Sequence, residues 1–385
     1  MSSGNTVPEV VIDARWLRTG IGRYILTLLQ ELKPRIPAAR LTCITLPEFT
    51  KTIAPYCDRV IPLECGIYTL EEQIRLPRIA SDAAVFCSPH YNVPVLRTGR
   101  MVVTIHDITH RLFQSYRRDP RSMLYAAPML RIACARASRI VVPSDYTRRM
   151  LVESLQADIG KLAVVPCAVD GVFRTQDPQQ ARSAAHADHG ISQPFLLSVT
   201  SAAPHKNLTT LLRAYQYLRE RHRGVPMLVL VLPKHPAPTS KNADLCRLLT
   251  TPGVRCLTSV TDVSLAALYA AARMTILPSF EEGFGLPVVE SMACGTPVAC
   301  SSAASLPEVA GDSAVYFSPG SMEEMAASIE KVLHSETLRQ QLRAAGLKRA
   351  ALYTTSRAAS RYASVLTSVF SDAHTDELAL PFFDA

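Results

Sequence analysis

Residues 274–297 constrain this chain more than any other stretch. Met274-Thr-Ile-Leu277 is a short apolar run that reads as a buried strand. Pro278-Ser-Phe-Glu-Glu-Gly-Phe-Gly285 follows, and then Leu286-Pro-Val-Val-Glu290 opens a helix. Pro287 sits where a first-turn residue belongs, because its fixed φ suits the turn and its missing N–H is not needed there. Gly283 and Gly285 let main-chain amides approach a ligand with no Cβ in the way. Strand, glycine loop and helix N-terminus together form an anion site, since amide N–H groups and the helix dipole point at the same place.

Two carboxylates frame that site, Glu282 in the loop and Glu290 in the helix. A carboxylate repels phosphate, so these acids belong to one side of it, accepting hydrogen bonds from sugar hydroxyls as acidic residues do for ribose in dinucleotide-binding folds. The stretch therefore reads as a nucleotide-sugar site. The plainer reading is a strand-loop-helix connection in any α/β domain, with glutamates solvated at a helix N-terminus. The whole string, however, resembles the signature of glycosyltransferase family 4. The matching residues are Pro278-Ser279, Glu282-Gly-Phe-Gly-Leu-Pro287, Glu290-Ser-Met-Ala-Cys-Gly-Thr-Pro-Val298 and Leu306-Pro-Glu-Val309. The resemblance implies a retaining enzyme of the GT-B fold, with two facing Rossmann-like doubly wound domains and the active site in the cleft between them.

The length of 385 residues fits two domains, and 48% hydrophobic with 19% charged residues fits a globular chain with ample core. The expected division is 1–172 for an acceptor-binding domain, 173–192 for a polar linker or loosely packed helix, and 193–355 for the nucleotide-sugar domain. A helix over 356–371 is expected to pack back on the first domain, leaving 372–385 as a tail. Further strands are expected near 9–13, 41–46, 84–88, 101–105, 138–144, 162–167, 195–199, 227–232, 254–257 and 310–317, with helix over 322–352. Ten scattered cysteines include no Cys-x-x-Cys and no zinc spacing, which favours reduced thiols in the cytosol.

Read along the chain, the resemblance assigns further residues. Arg15-Trp-Leu-Arg-Thr-Gly-Ile-Gly-Arg-Tyr24 is a glycine turn before a helix, similar to the loop the family places across from the donor phosphates, with Gly20 as the matching position. Val102-Val-Thr-Ile-His-Asp107 resembles the strand whose histidine faces the donor sugar or β-phosphate, which points to His106. Asp107 either orients the acceptor hydroxyl or caps a turn, and His110 reads as surface. Relatives carry Arg-Lys-Asn where this chain has His205-Lys206-Asn207, so Lys206 is the cation left to grip the diphosphate. Val260 and Thr261 lie where relatives receive the base through main-chain contacts. The catalytic set is thus His106, Lys206 and Glu282, and the donor set Gly20, Gly283, Phe284, Gly285, Leu286, Glu290, Val260 and Thr261.

The resemblance implies transfer of a hexose from a nucleotide-diphosphate sugar to a saccharide or lipid-linked saccharide. GDP-mannose is the first donor expected, because Gly-Ile-Gly-Arg-Tyr and Ile-His-Asp look most like bacterial surface-polysaccharide mannosyl- and rhamnosyltransferases. UDP-hexose, UDP-N-acetylhexosamine and GDP-rhamnose donors stay open, as does a non-catalytic GT-B partner subunit. No Asp-x-Asp occurs, so no metal or other cofactor is expected. The net charge of +8 is uneven: residues 1–170 hold 22 Lys+Arg against 15 Asp+Glu. Nine of those arginines (111, 117, 118, 121, 131, 136, 139, 148, 149) lie in 111–149. They form either a solvated face or a contact with an anionic membrane surface. No aromatic interleaving or recognition motif points to nucleic acid. With no signal peptide and no apolar run near the ~20 residues a span requires, a cytoplasmic chain at the inner face of the membrane is expected.

Overall fold

The computed structural model describes residues 7–18, 20–109, 125–237, 239 and 242–370. His110, Arg111, Arg117, Arg118, Arg121 and the tail 372–385 lie outside the described residues. The chain divides into two units, Met1–Ala168 with Thr354–Ala385, and Val169–Tyr353.

Unit 1 is built on a sheet of seven parallel strands in the order β3-β2-β1-β4-β5-β6-β7. These are β1 (Glu9–Asp13), β2 (Arg40–Thr45), β3 (Arg59–Pro62), β4 (Val85–Ser88), β5 (Arg100–Thr104), β6 (Arg139–Val142) and β7 (Leu162–Val164). A parallel sheet covered on both faces needs strands apolar throughout, and Val10, Val11 and Ile12 of β1 are all buried. Strand order reverses between β1 and β4, where Ile12 pairs with Cys87, so the two strands end level and their loops emerge side by side. Ligands of doubly wound sheets bind at such a reversal. One face is covered by the helices Ile21–Leu32 and Thr355–Phe370. Their apolar residues recur at helical spacing, Tyr24, Ile25, Leu28 and Leu29 on the first and Ala359, Tyr362, Ala363 and Leu366 on the second. Each buried leucine there contributes roughly 1.5–3 kcal/mol. Arg35 pins the pair by donating to Ser360 Oγ at 3.0 Å and Ser356 Oγ at 2.6 Å.

Unit 2 repeats the plan with six parallel strands ordered β10-β9-β8-β11-β12-β13. They are β8 (Phe195–Val199), β9 (Met227–Val231), β10 (Val254–Leu257), β11 (Met274–Leu277), β12 (Val298–Ser301) and β13 (Ala314–Phe317). Here the reversal lies between β8 and β11, and the pairing of Met274 with Leu196 sets Leu277 level with Val199. Residues 200–207 and 278–285 therefore leave the sheet as neighbours.

Several boundaries differ from the sequence expectation. Residues 178–189 form the helix Pro178–His189, packed on the helix Asp262–Ala271 through the fully buried Ala181 and Ala185. Asp177 caps it by accepting from the Gln179 and Gln180 amides, both at 2.9 Å, and Gly190 ends it in the left-handed region. The expected strand over 310–317 begins only at Ala314, because Leu306–Ala310 is helical. The helix over 322–352 is two helices, Met322–His334 and Glu336–Ala350, divided at Ser335, whose Oγ caps the second by accepting from the Leu338 amide at 3.1 Å. All ten cysteines are free thiols. Among the described residues no helix is long and apolar enough to cross a membrane.

Candidate functional site

In unit 2 the loops after β8 and β11 are tied to each other at the sheet reversal. Asn207 adopts φ 56°, a left-handed conformation that asparagine tolerates better than most residues. Its Nδ2 donates to the Pro278 carbonyl at 2.9 Å and the Pro319 carbonyl at 2.7 Å, and the Phe280 amide donates to the His205 carbonyl at 2.8 Å. That lacing brings Lys206 onto Glu282. Lys206 Nζ lies 2.7 Å from Glu282 Oε1 and 2.8 Å from Oε2, with side chains 25% and 10% exposed. Ser279 Oγ also donates to Glu282 Oε1, at 2.7 Å, and Ser305 Oγ donates to the Glu282 carbonyl at 2.9 Å. A carboxylate this enclosed is tolerated because each lost water contact is replaced by a donor.

The helix Leu286–Ala293 starts beside this pair with no side-chain cap on its first turn. Gly285 is its N-cap at φ 96°, and a Cβ there would lie 2.5 Å from Leu306 Cδ2. Both the backbone and the packing therefore demand glycine. Phe284 is buried edge-on against Tyr353, with ring centroids 5.3 Å apart, which fixes the loop that carries Gly283. Glu290, one turn into the helix, is 1% exposed and accepts from the Tyr269 hydroxyl at 3.0 Å. Tyr269 belongs to the helix Asp262–Ala271, whose N-cap is Thr261, with Val260 just before it. Thr261 Oγ1 accepts from the Ser264 amide at 3.3 Å, and Ser259 sits at φ 57°. The structure thus joins Lys206 to Glu282 directly, and Glu290, through Tyr269, to the helix Asp262–Ala271 that follows Val260 and Thr261. The parts played by Ser305 and Tyr269 are not visible in the sequence, since each acts through a partner more than twenty residues away.

In unit 1 Gly20 is the N-cap of the helix Ile21–Leu32, and a Cβ there would meet nothing within 4 Å. At Gly22 a Cβ would collide with the Leu17 backbone, so Gly22 is the glycine that packing requires. His106 follows β5 and meets that same helix, with its ring 4.8 Å from Tyr24 and edge-on to it. Nε2 of His106 donates to the Pro89 carbonyl at 2.9 Å, which leaves Nδ1 as the acceptor of the neutral ring. Asp107 Oδ1 accepts from the Thr109 amide at 2.9 Å, forming a local cap. Of the described arginines in the basic segment, Arg136 is bonded to the Val95 and Arg97 carbonyls and Arg148 pairs with Asp145.

Burial lowers the His106 pKa below 6.5, with the Pro89 hydrogen bond and Asp107 opposing only in part. The folded state then binds fewer protons than the unfolded chain in the window beneath 6.5. The stability His106 confers is full above that value and is lost as pH falls through the depressed folded pKa. Denaturant midpoints of the parent should drop between pH 7 and pH 5 more than those of His106→Gln; parallel profiles would dismiss the effect.

The description Glycosyltransferase Family 4 matches residues 18–171, and Glycosyl transferases group 1 matches residues 182–349. Over 271 residues the chain is 30% identical to O-antigen chain mannosyltransferase B of Escherichia coli, covering 69% of each chain. It is 28% identical over 282 residues to the serotype-specific mannosyltransferase WbdA of Escherichia coli, covering 71% of this chain and 34% of that one. Sucrose-phosphate synthase from Thermosynechococcus elongatus superposes with a TM-score of 0.74 at 18% identity, over 95% of this chain and 100% of that one. Anabaena HepE in complex with UDP-glucose gives 0.74 at 16% identity, over 94% and 99%. Structural likeness at such identities establishes the fold, GT-B, and nothing finer. With both halves matched and both sheets doubly wound, the chain belongs to the family 4 glycosyltransferases.

Proposed function

We propose that this enzyme transfers mannose from GDP-mannose, with retention of anomeric configuration, to a hydroxyl of a saccharide or lipid-linked saccharide in surface-polysaccharide synthesis. The names of its relatives support the sugar and the setting. The observation that carries the reading is the Lys206–Glu282 pair beside the uncapped start of the helix Leu286–Ala293.

As a diphosphate enters, Lys206 Nζ exchanges Glu282 for a phosphate oxygen. The bond from the anomeric carbon to the diphosphate breaks, a bond to the acceptor oxygen forms, and the acceptor's proton leaves on the departing phosphate. Lys206 meets the charge growing on that leaving group, and the amides of Gly283, Phe284, Gly285 and Leu286 with the helix dipole meet the rest. No metal takes part in this reading. Glu282, released from its ion pair, accepts from hydroxyls of the transferred sugar, and Glu290 accepts from the ribose. The main chain at Val260 and Thr261 receives the base. In unit 1 we assign Gly20 and His106 to the donor and Asp107 to the acceptor hydroxyl. The excess of Lys and Arg in residues 1–170 supports peripheral contact with an anionic membrane that presents a lipid-linked acceptor.

Calorimetric titration with GDP and UDP, followed by NMR of the product's anomeric proton, tests the donor and the stereochemistry. Binding of UDP alone, or an inverted anomer, overturns the reading. Glu290→Gln should weaken GDP binding about ten- to a hundredfold, the range for a lost charge-assisted hydrogen bond. An unchanged affinity would remove Glu290 from the ribose.

A further inference from the structure

We propose that Tyr68, His90, Tyr91 and Tyr125, backed by the buried Trp16, form a saccharide-binding platform in unit 1, on which a sugar ring of the acceptor stacks beside His106. This rests on the saccharide acceptor proposed above.

The rings gather at the sheet reversal of unit 1, Trp16 just after β1 and His90 and Tyr91 just after β4. His90 lies between two rings, with centroids 4.2 Å from Trp16 and 3.9 Å from Tyr91. Tyr68 stands edge-on to Trp16 at 5.6 Å and to Tyr125 at 5.4 Å, and is 46% exposed. Its φ is +62°, a left-handed backbone that a bulky aromatic adopts only under compulsion. The compulsion comes from Glu72, whose Oε1 accepts from the Tyr68 amide at 2.8 Å and from Asn92 Nδ2 at 2.7 Å. Asn92 Oδ1 in turn accepts from the Tyr125 hydroxyl. One buried side chain thereby sets the positions of two of the rings.

The turn that carries His90 and Tyr91 is held as firmly. Ser88 Oγ donates to the His90 carbonyl at 2.6 Å, the Asn92 amide donates to His90 Nδ1 at 3.1 Å, and His106 donates to the Pro89 carbonyl at 2.9 Å. The residue assigned to the donor thus shares a hydrogen bond with the turn that bears the stack. Every ring has a polar tip, and such rings suit a pyranose, which offers an apolar C–H face and a rim of hydroxyls.

Trp16 is the single tryptophan of the chain, so its fluorescence reports this cluster alone. Titration of the full chain with mannotriose should shift Trp16 emission saturably, and an alkyl phosphate at the same concentrations should not. Tyr68→Ala should weaken mannotriose binding and raise the acceptor KM about five- to tenfold, while Tyr68→Phe keeps both within about twofold. GDP affinity, measured on the same preparations, reports that unit 2 is intact. A response to the alkyl phosphate alone, no response to mannotriose in protein that binds GDP, or an unchanged acceptor KM in Tyr68→Ala overturns the platform. A mannotriose response in protein that binds no nucleotide leaves the platform standing and sinks the donor reading.

Discussion

Lys206→Ala is expected to lower kcat by about 10²–10³-fold, the loss seen when a preorganised donor to developing charge is removed. Two effects act together. The leaving diphosphate loses the ammonium that neutralises it. Glu282 loses both of its contacts with Lys206 Nζ, at 2.7 and 2.8 Å, and keeps Ser279 at 2.7 Å. A carboxylate left ionised beside a phosphate site also repels the donor, so the single variant loses donor affinity for a reason separate from the chemical step. The double variant Lys206→Ala/Glu282→Gln separates the two, because it removes the stranded charge along with the lysine. If repulsion dominates, the double variant binds GDP better than the single one and recovers little kcat. Steady-state release of nucleotide gives kcat, and calorimetry gives affinity. A kcat within threefold of the parent in Lys206→Ala would withdraw the role given to Lys206.

What the sequence disclosed follows from what a linear string can encode. The loop at 278–290 was legible because glycine, proline and acid each have a backbone or charge reason to occupy their positions, and those reasons are local. The same holds for the apolar strands of both sheets, whose burial on two faces leaves continuous runs. The helix Pro178–His189 was legible only as one of two alternatives, linker or loosely packed helix, since it packs through Ala181 and Ala185 and presents no large apolar period. Strand β3 passed unnoticed because it has four residues on the sheet edge, with Val60 and Ile61 only half-buried. Partnerships were the least legible feature. Asn207 reaches carbonyls 71 and 112 positions away, Ser305 reaches back 23 residues to Glu282, and Arg15 finds Glu72 across 57. Only the fold brings such pairs together.

That last partnership is buried within unit 1. Arg15 is 2% exposed, and it bonds Asp13 through Nε and Nη2, both at 2.8 Å, Glu72 at 3.0 Å and the Cys65 carbonyl at 3.2 Å. Asp13 and Glu72 are 1% and 0% exposed. Burial pulls the Arg15 pKa down, but Asp13 and Glu72 together raise it further, so the guanidinium stays charged. Arg15→Met keeps much of the volume and strands two carboxylates in a dry site, at a cost of about 3–5 kcal/mol. Acid neutralises stranded negative charge, so the deficit is expected to be largest at high pH and to shrink as pH falls. Denaturant midpoints at pH 8 and pH 5 should therefore differ from the parent by less at pH 5. Adding Asp13→Asn and Glu72→Gln to Arg15→Met should recover most of the loss at pH 8. A deficit below about 1 kcal/mol at pH 8 would put the pair in the class of weak surface bridges. A deficit that grows toward pH 5 would show that packing, and not charge balance, is what Arg15 supplies.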